Sequence, residues 1–278
     1  MPELPETETI ARDLDSEISG AVVDAVSVLR GDVLRERTAD EFARLLPRCR
    51  VARVWRRAKL IVLDLDGPNG AWHLVVQPRF TGGLLIARNA PASELGAYVC
   101  LTLALTDGRQ LHYRDVRRLG TVSLMSPSQF TTYTDALGPE PLDPKLGDAE
   151  FSGLLRVSKQ SVKVALMDQR RLAGVGNIYA NEALWRAGID PSREARSVTA
   201  DEAATLRRAL CDVLTASIAA RGTSFRDYRD ARGERGRFVE QLAAYGRAGA
   251  PCKRCGRRLV GTHAVDGRST VFCASCQR

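Results

Sequence analysis

Pro2 and Glu3 are the first residues of the sequence whose types could do chemistry. An initiator Met is normally removed when the next residue is small, which leaves the secondary amine of Pro2 at the amino terminus. An α-amino group has a pKa near ~8, against ~10.4 for a lysine, so far more of it is unprotonated at neutral pH. This amine is a candidate nucleophile for Schiff-base chemistry with a sugar aldehyde carbon, and Glu3 is a candidate general acid or base. The alternative is that Pro2 and Pro5 only shape the entry to a helix.

Four of the seven cysteines form a second chemical pattern. Cys252 and Cys255 make one C-x-x-C pair, and Cys273 and Cys276 make another 17 residues later. Each pair can turn two thiolates toward one point, which is typical of a tetrahedral structural zinc site. Two disulfides are the alternative, which a reducing cytosol disfavours. His263, between the pairs, is predicted to be a surface residue.

The net charge of +8 is concentrated at the same end of the chain. From Tyr245 onward there are seven Lys or Arg and one acid, Asp266, which leaves +6 in this segment. A solvated basic tail is the ordinary meaning of such a run. Because the run coincides with the cysteine pairs, a folded module that binds nucleic acid is favoured. The sequence shows neither a membrane span nor a secretory signal, so a cytoplasmic protein is expected.

The elements that must position these residues follow two hydrophobic periods. Residues 5–18 are predicted to be a helix, with Ile10, Leu14 and Ile18 as its buried stripe. From Ala21 to about Met125 the period is two, which predicts short strands in an antiparallel sandwich or barrel. In one of these strands, four apolar residues are predicted to share one face, namely Val99, Leu101, Leu103 and Leu105.

The second half of the chain has a helical period. Residues 137–148 are rich in proline and glycine and are predicted to be a linker. Thr199 and Glu202 form a capping box at the start of a helix. Residues 221–238 are rich in glycine and arginine without a clear period, and they are predicted to be a mobile loop.

Several longer motifs occur in one order along the chain. They are MPELPE at the amino terminus, RRAK (56–59), RRLG (117–120), LGPEPL (137–142), GVGNIYANEAL (174–184) and GRSTVFCASCQ (267–277). Together they resemble the formamidopyrimidine-DNA glycosylase family, bacterial base-excision enzymes related to endonuclease VIII. The resemblance covers essentially the whole chain.

The resemblance implies an α+β multidomain fold. Its parts are a two-sheet antiparallel β-sandwich with an N-terminal helix, a helical domain with a helix–two-turns–helix element, and a C-terminal four-cysteine zinc finger. On this chain the catalytic sandwich domain covers 1–135, a linker 136–150, the helical domain 151–244 and the finger 245–278. A lesion loop is expected at 221–238, within the helical domain. The resemblance also implies a monomer, associated with the nucleoid in the cytoplasm.

The implied activity is removal of oxidised purines, such as 8-oxoguanine and formamidopyrimidines, from double-stranded DNA, followed by β,δ-elimination at the abasic site. The family pattern makes Pro2 and Glu3 catalytic. It places Lys59 at the catalytic pocket on a phosphate and Arg268, on the finger loop, against phosphates beside the lesion. One structural zinc ion is implied, which rigidifies the loop that carries Arg268.

The resemblance also implies a set of DNA-binding residues. They are Phe80, Tyr98, Arg117, Leu119, Lys159, Lys163 and Asn177. Arg117 faces the orphaned base, Leu119 wedges the stack where the family has Phe, and Phe80 stands where it has Met. Tyr98 replaces a histidine, and Asn177 opens a helix whose N–H groups suit a phosphate. Lys159 and Lys163 could each be only a solvated helix charge.

Two other functions remain open from the sequence. An endonuclease VIII-like glycosylase would act on oxidised pyrimidines. That branch typically has Gly in place of Leu in its opening motif and a shorter loop before the finger, so MPELPE and residues 221–238 favour the purine branch. A non-catalytic zinc-finger DNA-binding protein is the other class, and the presence of Pro2, Glu3 and Lys59 argues against it.

Overall fold

The computed structural model describes residues 2–88 and 97–278, which form two compact units. The first unit consists of the chain up to Asp135 together with Ala220–Arg237. The second consists of Ala136–Ala219 and Phe238–Arg278. The domain boundaries expected from the sequence stay predictions. The segment expected as a lesion loop of the helical domain is grouped almost entirely with the first unit.

The first unit is built from three helices and nine strands among the described residues. They are α1 (Leu4–Ile18), β1 (Val23–Val28), β2 (Leu34–Arg35), α2 (Ala39–Leu45), β3 (Arg50–Arg57), β4 (Leu60–Gly67), β5 (Gly70–Gln77), β6 (Gly82–Arg88), β7 (Val99–Leu105), β8 (Arg109–Asp115), β9 (Thr121–Met125) and α3 (Pro127–Asp135). The strands form two sheets, in the orders β1-β7-β8-β6 and β2-β9-β5-β4-β3. The pairing is antiparallel except between β2 and β9.

One hydrophobic core lies between the two sheets. Leu103 and Tyr113 come from the four-stranded sheet, and Leu63 and Val122 come from the five-stranded sheet, and all four are buried in the same cluster. Inward side chains from both sheets filling one core is the arrangement of a β-sandwich. The period-two pattern predicted an antiparallel sandwich or barrel, and the sandwich, which the family resemblance implies, is confirmed.

Strand β7 departs from the predicted alternation at its start. Leu101, Leu103 and Leu105 belong to the core cluster as predicted, but Cys100 joins them and Val99 does not. The register between β7 and β8 shifts between Val99 and Leu101, which is a β-bulge. Because an extra residue reverses the alternation on one side of a bulge, the assignment of Val99 to the face of the leucines was wrong.

Helix α1 covers one flank of the sandwich. It begins at Leu4, one residue before the predicted start, with Glu3 as its N-cap. Ile10, Leu14 and Ile18 are fully buried, as predicted. The helix packs on β3 and β4, and Glu8 in its second turn pairs with Arg56 of β3 at 2.7 Å.

The second unit contains the helical elements and a small hairpin. They are α4 (Asp148–Arg156), α5 (Val162–Met167), α6 (Asn177–Ala187), α7 (Ala200–Ala219), β10 (Val260–Thr262) and β11 (Thr270–Phe272). Two turns join α5 to α6, and the side chain of Gln169 forms hydrogen bonds with the backbone of both turns. Its Nε2 donates to the carbonyls of Met167 and Val175, both at 2.8 Å, and its Oε1 accepts from the Gly174 N–H at 2.8 Å. This is the expected helix–two-turns–helix element.

The segment before α4 packs against these turns. The N–H of Gly138 donates to the carbonyl of Gln169, and the N–H of Ala173 donates to that of Pro139, both at 2.9 Å. A Cβ on Gly138 would lie 2.5 Å from the backbone of Arg171, so this close approach requires glycine. The predicted linker is therefore part of the packed unit, and α4 begins at Asp148.

Among the described residues, no helix has the length and apolarity that a membrane crossing needs.

Candidate functional site

Pro2 and Glu3 are buried at the start of α1. Glu3 is 1% exposed. Its N–H donates to Glu6 Oε2 at 2.8 Å, and its carbonyl accepts from the N–H of Thr7 at 3.0 Å. These bonds hold the candidate nucleophile and the candidate acid at a fixed helix start. The predicted removal of Met1 concerns a residue outside the described part of the chain.

Lys59 is half-buried in the two-residue turn between β3 and β4. Arg56 Nη1 donates to the carbonyl of Ala58 in the same turn at 3.0 Å, and Arg56 Nε donates to Glu8 Oε2 at 2.7 Å. Burial would raise the pKa of Glu8, but the hydrogen bonds and charges of Arg56 and Arg12 outweigh burial and hold this pKa below its ordinary value. Because Glu8 lies on α1, a charged pair fixes the turn that carries Lys59 to the helix that follows Pro2.

The irregular segment 220–237 is anchored to the same helix. The N–H of Thr223 donates to Glu6 Oε1 at 2.8 Å. Tyr228 is 6% exposed and belongs to the core of the first unit. Gly222 has a φ of +85°, and a Cβ there would lie 2.9 Å from the Tyr228 ring and 3.1 Å from Glu6. The predicted mobile loop thus has a buried centre.

A second contact with α1 comes from a buried ion cluster. Arg221 Nη2 lies 2.5 Å from Asp13 Oδ2 and 2.5 Å from Asp230 Oδ2. Asp230 is fully buried, and its Oδ1 accepts the N–H groups of Arg232 and Glu234 at 3.0 and 2.9 Å. These bonds shape the segment around one carboxylate, while residues 225–227 and 232–235 stay exposed.

Phe80, Arg117 and Leu119 lie on two neighbouring loops of the first unit. Phe80 and Leu119 are 47% and 41% exposed, which is unusual for large apolar side chains. The Arg117 guanidinium lies 5.0 Å from the centre of the Phe80 ring, within cation–π range. The structure therefore brings Phe80 and Arg117 into contact on a surface where apolar groups could enter a base stack.

Asp115, which sequence reasoning missed, joins these two loops. It is 1% exposed. Its Oδ1 accepts from Thr81 Oγ1 at 2.5 Å and from the Arg117 N–H at 3.1 Å, and its Oδ2 accepts from the Gly120 N–H at 2.8 Å and from Tyr113 Oη at 3.1 Å. An acid at the end of a strand, two residues before Arg117, was the available signal.

Tyr98 lies on the same unit and is 45% exposed. The Arg114 guanidinium stacks on its ring at 5.2 Å. Tyr98 also lines an open cavity of about 390 Å³ together with Arg30, Arg118 and Asp115. The cavity is thus lined by two arginines and one acid, and Arg118 is paired with Asp32 at 2.8 Å.

The four finger cysteines converge in the second unit. Their sulfur atoms all lie within 4.8 Å of one another, and none is in a disulfide. Zinc bonds of about 2.3 Å in a tetrahedron place the sulfurs about 3.8 Å apart, so the residues fit a zinc ion. Burial would raise the pKa of Cys252, but the N–H groups of Arg254 and Cys255 outweigh burial and lower this pKa, whereas the neighbouring sulfurs raise the pKa of Cys276. His263 is exposed, as predicted.

Arg268 is exposed on the loop of the β10–β11 hairpin. Asn177, at the start of α6, donates through Nδ2 to the carbonyl of Ser269, the residue after Arg268, at 2.9 Å.

Lys159 is exposed in the loop between α4 and α5 and does not lie on a helix. Lys163 is fully buried on α5, so the alternative of a solvated helix charge is wrong for Lys163, whereas Lys159 is a solvated charge on a loop.

Glu182 is a second residue that sequence reasoning missed. It is fully buried on α6. Its carboxylate accepts the N–H groups of Ala243, Ala244 and Tyr245 at 2.8–2.9 Å. This cluster fixes the chain that enters the finger to the helix that begins at Asn177. The available signal was one acid among the mostly uncharged residues of α6.

Comparison with known proteins gives the same assignment for both halves of the chain. Residues 1–122 match the model of the formamidopyrimidine-DNA glycosylase N-terminal domain, and residues 137–229 match that of the formamidopyrimidine-DNA glycosylase H2TH domain. Formamidopyrimidine-DNA glycosylase of Desulfitobacterium hafniense is 39% identical over 279 residues, with all of both chains covered. That of Chloroflexus aggregans is 40% identical over 277 residues, covering 100% of this chain and 98% of the relative.

Solved structures agree over the same length. Lactococcus lactis Fpg bound to DNA containing an abasic site has a TM-score of 0.89 and 30% identity, with 99% of each chain covered. Wild-type Lactococcus lactis Fpg bound to DNA containing N7-benzyl-Fapy-dG has a TM-score of 0.90 and 30% identity, with 100% of each chain covered.

Proposed function

Since the chain belongs to the formamidopyrimidine-DNA glycosylase family, we propose that it removes oxidised purines from duplex DNA through a Schiff base at Pro2 and then cleaves the strand at the abasic site. Family membership makes it a base-excision DNA glycosylase, which acts on N-glycosyl bonds. The observation that supports the finer proposal is the first turn of α1. There Glu3, 1% exposed, follows Pro2 directly and is held by Glu6.

In the proposed reaction, the nitrogen of Pro2 attacks C1′ of the damaged nucleotide as the bond from C1′ to the base breaks. The leaving base takes up the proton that the Pro2 nitrogen loses, and Glu3 protonates O4′ as the sugar ring opens, which leaves an iminium between Pro2 and C1′. Loss of a C2′ proton expels the 3′ phosphate, and loss of a C4′ proton then expels the 5′ phosphate. Hydrolysis of the iminium frees Pro2.

Other groups would bind and orient the DNA. Lys59 and Arg268 would offset phosphate charge, and Phe80, Arg117 and Leu119 would fill the gap that the extruded nucleotide leaves. Zinc, held by Cys252, Cys255, Cys273 and Cys276, supplies rigidity to the finger and no chemistry. The substrate is double-stranded DNA with oxidised bases or abasic sites.

Borohydride reduction during the reaction tests the nucleophile. It should trap a covalent adduct with DNA, and peptide mapping should place the link at residue 2. Glu3→Gln should lose base excision and keep cleavage of a preformed abasic site, because the proton that Glu3 supplies to O4′ is needed as the base leaves, a step that such a site has already passed. A link at Lys59 would overturn the proposed nucleophile, and no adduct at all would favour the non-catalytic DNA-binding protein.

A panel of duplexes, each with one defined lesion, tests the substrate class. Excision of 8-oxoguanine and formamidopyrimidines should be faster than excision of oxidised pyrimidines. The reverse order would favour the endonuclease VIII-like activity. Borohydride trapping is independent of this ranking, so the nucleophile and the specificity can fail separately.

A further inference from the structure

Lys163 occupies an unusual place for a lysine, since its side chain is fully buried. A buried ammonium requires a compensating charge and hydrogen-bond acceptors. Nζ donates to Asp266 Oδ1 at 3.0 Å, to the Ser269 carbonyl at 3.3 Å and to Thr270 Oγ1 at 2.7 Å. These three oxygens match the three N–H donors of an ammonium. Asp266 and Ser269 lie on the finger loop that carries Arg268, and Thr270 is the first residue of β11.

Two of the residues that accept hydrogen bonds from Lys163 also bond to the backbone of Arg268. Asp266 Oδ1, which accepts from Lys163, also accepts from the N–H of Arg268 at 3.0 Å. Thr270 Oγ1, the second acceptor, donates to the carbonyl of Arg268 at 3.3 Å. The N–H of Arg268 is thus linked to the Lys163 ammonium through the side chain of Asp266, and the carbonyl of Arg268 is linked to it through the side chain of Thr270.

We propose that Lys163 is a positioning residue that acts through Asp266 and Thr270 to set the loop of Arg268, and that it does not itself bind a DNA phosphate. The inference rests on the proposed phosphate contact of Arg268. Asp266 makes the lysine necessary, because a carboxylate beside Arg268 would repel a phosphate unless a buried cation neutralises it. The side chain of Asp266 is 9% exposed, so solvent screens this charge poorly.

Two asparagines hold the next part of the loop without using charge. Asn177 Nδ2 donates to the Ser269 carbonyl at 2.9 Å, and Asn181 Oδ1 accepts from the Val271 N–H at 2.7 Å. The strand that follows the loop therefore has its own anchors. Loss of Lys163 should disturb the segment around Arg268 more than β11.

A double-mutant cycle tests the route through Asp266. Lys163→Met, Asp266→Asn, the double variant and Arg268→Ala are compared for the ratio of δ- to β-elimination product on abasic DNA. Lys163→Met should lower δ-elimination roughly ten- to a hundredfold, the size expected for lost charge-assisted hydrogen bonds. In the Asp266→Asn background the same change should cost much less, because no unpaired carboxylate remains. Equal losses in both backgrounds would overturn the proposal.

The salt dependence of binding separates positioning from direct contact. Asp266→Asn and the double variant should have the same slope of log affinity against log salt. A direct phosphate ligand would instead lower that slope by about 0.9 when Lys163 is removed, in either background. Such a drop would make Lys163 a DNA ligand and overturn the proposal.

Amide hydrogen exchange gives a readout that does not depend on activity. Lys163→Met should speed exchange of the Arg268 amide, whereas Lys145→Met, at an exposed lysine of the same unit, should not. Zinc content, measured on each variant, verifies that the finger remains folded. Unchanged exchange in Lys163→Met would overturn the positioning role. If the Arg268→Ala variant keeps both the normal elimination ratio and the normal salt slope, the proposed role of Arg268 fails. The rate of amide exchange in Lys163→Met still decides the role of Lys163 in that case.

Discussion

Glu6 Oε1 accepts a hydrogen bond from the backbone N–H of Thr223 at 2.8 Å. The other oxygen of the same carboxylate accepts from the N–H of Glu3, also at 2.8 Å. One fully buried side chain therefore joins the candidate catalytic terminus to segment 220–237, which contains most of the expected lesion loop. This arrangement couples two parts of the first unit that are more than two hundred residues apart in sequence.

Removing this carboxylate should damage both parts. Glu6→Ala loses two hydrogen bonds to a buried charged group, so the free energy of unfolding should fall by about 3 kcal/mol. Glu6→Gln should lose less, since its amide oxygen can keep one bond. Urea unfolding measures the loss, and 8-oxoguanine excision should fall with it. Asp40→Asn, at an exposed acid of α2, is the control, and a Glu6→Ala variant as stable as this control would contradict the coupling.

Phe80→Ala should reduce excision from duplex DNA more than cleavage of an abasic site in single-stranded DNA. The reason is that an apolar wedge is needed only where a base stack must be opened and filled. The measurement is the ratio of duplex to single-strand rates, which should fall about tenfold, since aromatic stacking on a base contributes about 1–3 kcal/mol. A ratio equal to that of the unaltered protein would remove Phe80 from the wedge.

The exposed tip of segment 220–237 should control the choice of base. Replacing residues 225–227, which include the 46% exposed Phe225, with Gly-Ser-Gly should sharply lower 8-oxoguanine excision. Abasic-site cleavage should survive, because Tyr228 and Asp230 keep their buried anchors. Parallel rate assays on the two substrates measure this. Equal loss of both activities would mean that the tip serves DNA binding in general.

Cys273→Ser should remove the metal and abolish DNA binding. A four-thiolate structural site contributes folding free energy to its module, so the finger should unfold without it. Metal analysis should find one zinc per chain in the unaltered protein and in Cys211→Ser, whose sulfur lies outside the cluster. The sandwich has its own core and should keep its β-sheet circular dichroism. Normal DNA binding by metal-free Cys273→Ser would contradict the structural role.

The start of α7 should show a pH-dependent contribution to stability. Hydrogen bonds from Arg193, which outweigh the opposing effect of burial, lower the pKa of Glu202 to about 2. A lowered pKa means that the stabilisation is complete above the ordinary value of 4.5 and is lost as the pH falls toward 2. Glu202→Gln should cost about 1 kcal/mol at pH 7, because the pair is partly exposed and also caps the helix. Urea unfolding should show that the difference in unfolding free energy between the unaltered protein and Glu202→Gln is smaller at pH 3.5 than at pH 7. An equal difference at both pH values would contradict the stabilising role of ionised Glu202.

The sequence by itself determined the parts whose signal is local. The stripe of Ile10, Leu14 and Ile18 predicted α1, the capping box predicted the start of α7, and paired cysteines predicted a four-sulfur cluster. Each depends on residues a few positions apart or on a spacing that carries its own geometry. Family motifs extended this to the sandwich and the helix–two-turns–helix element.

Only the tertiary structure decided which distant residues meet. Lys163 carries the same charge in the sequence as Lys159, yet one is buried under the finger loop and the other is exposed. The bulge at Cys100 and the burial of Tyr228 also depend on neighbours far along the chain. A local pattern cannot report these outcomes, because burial and hydrogen-bond partners are set by packing between segments whose separation in sequence carries no periodic signal.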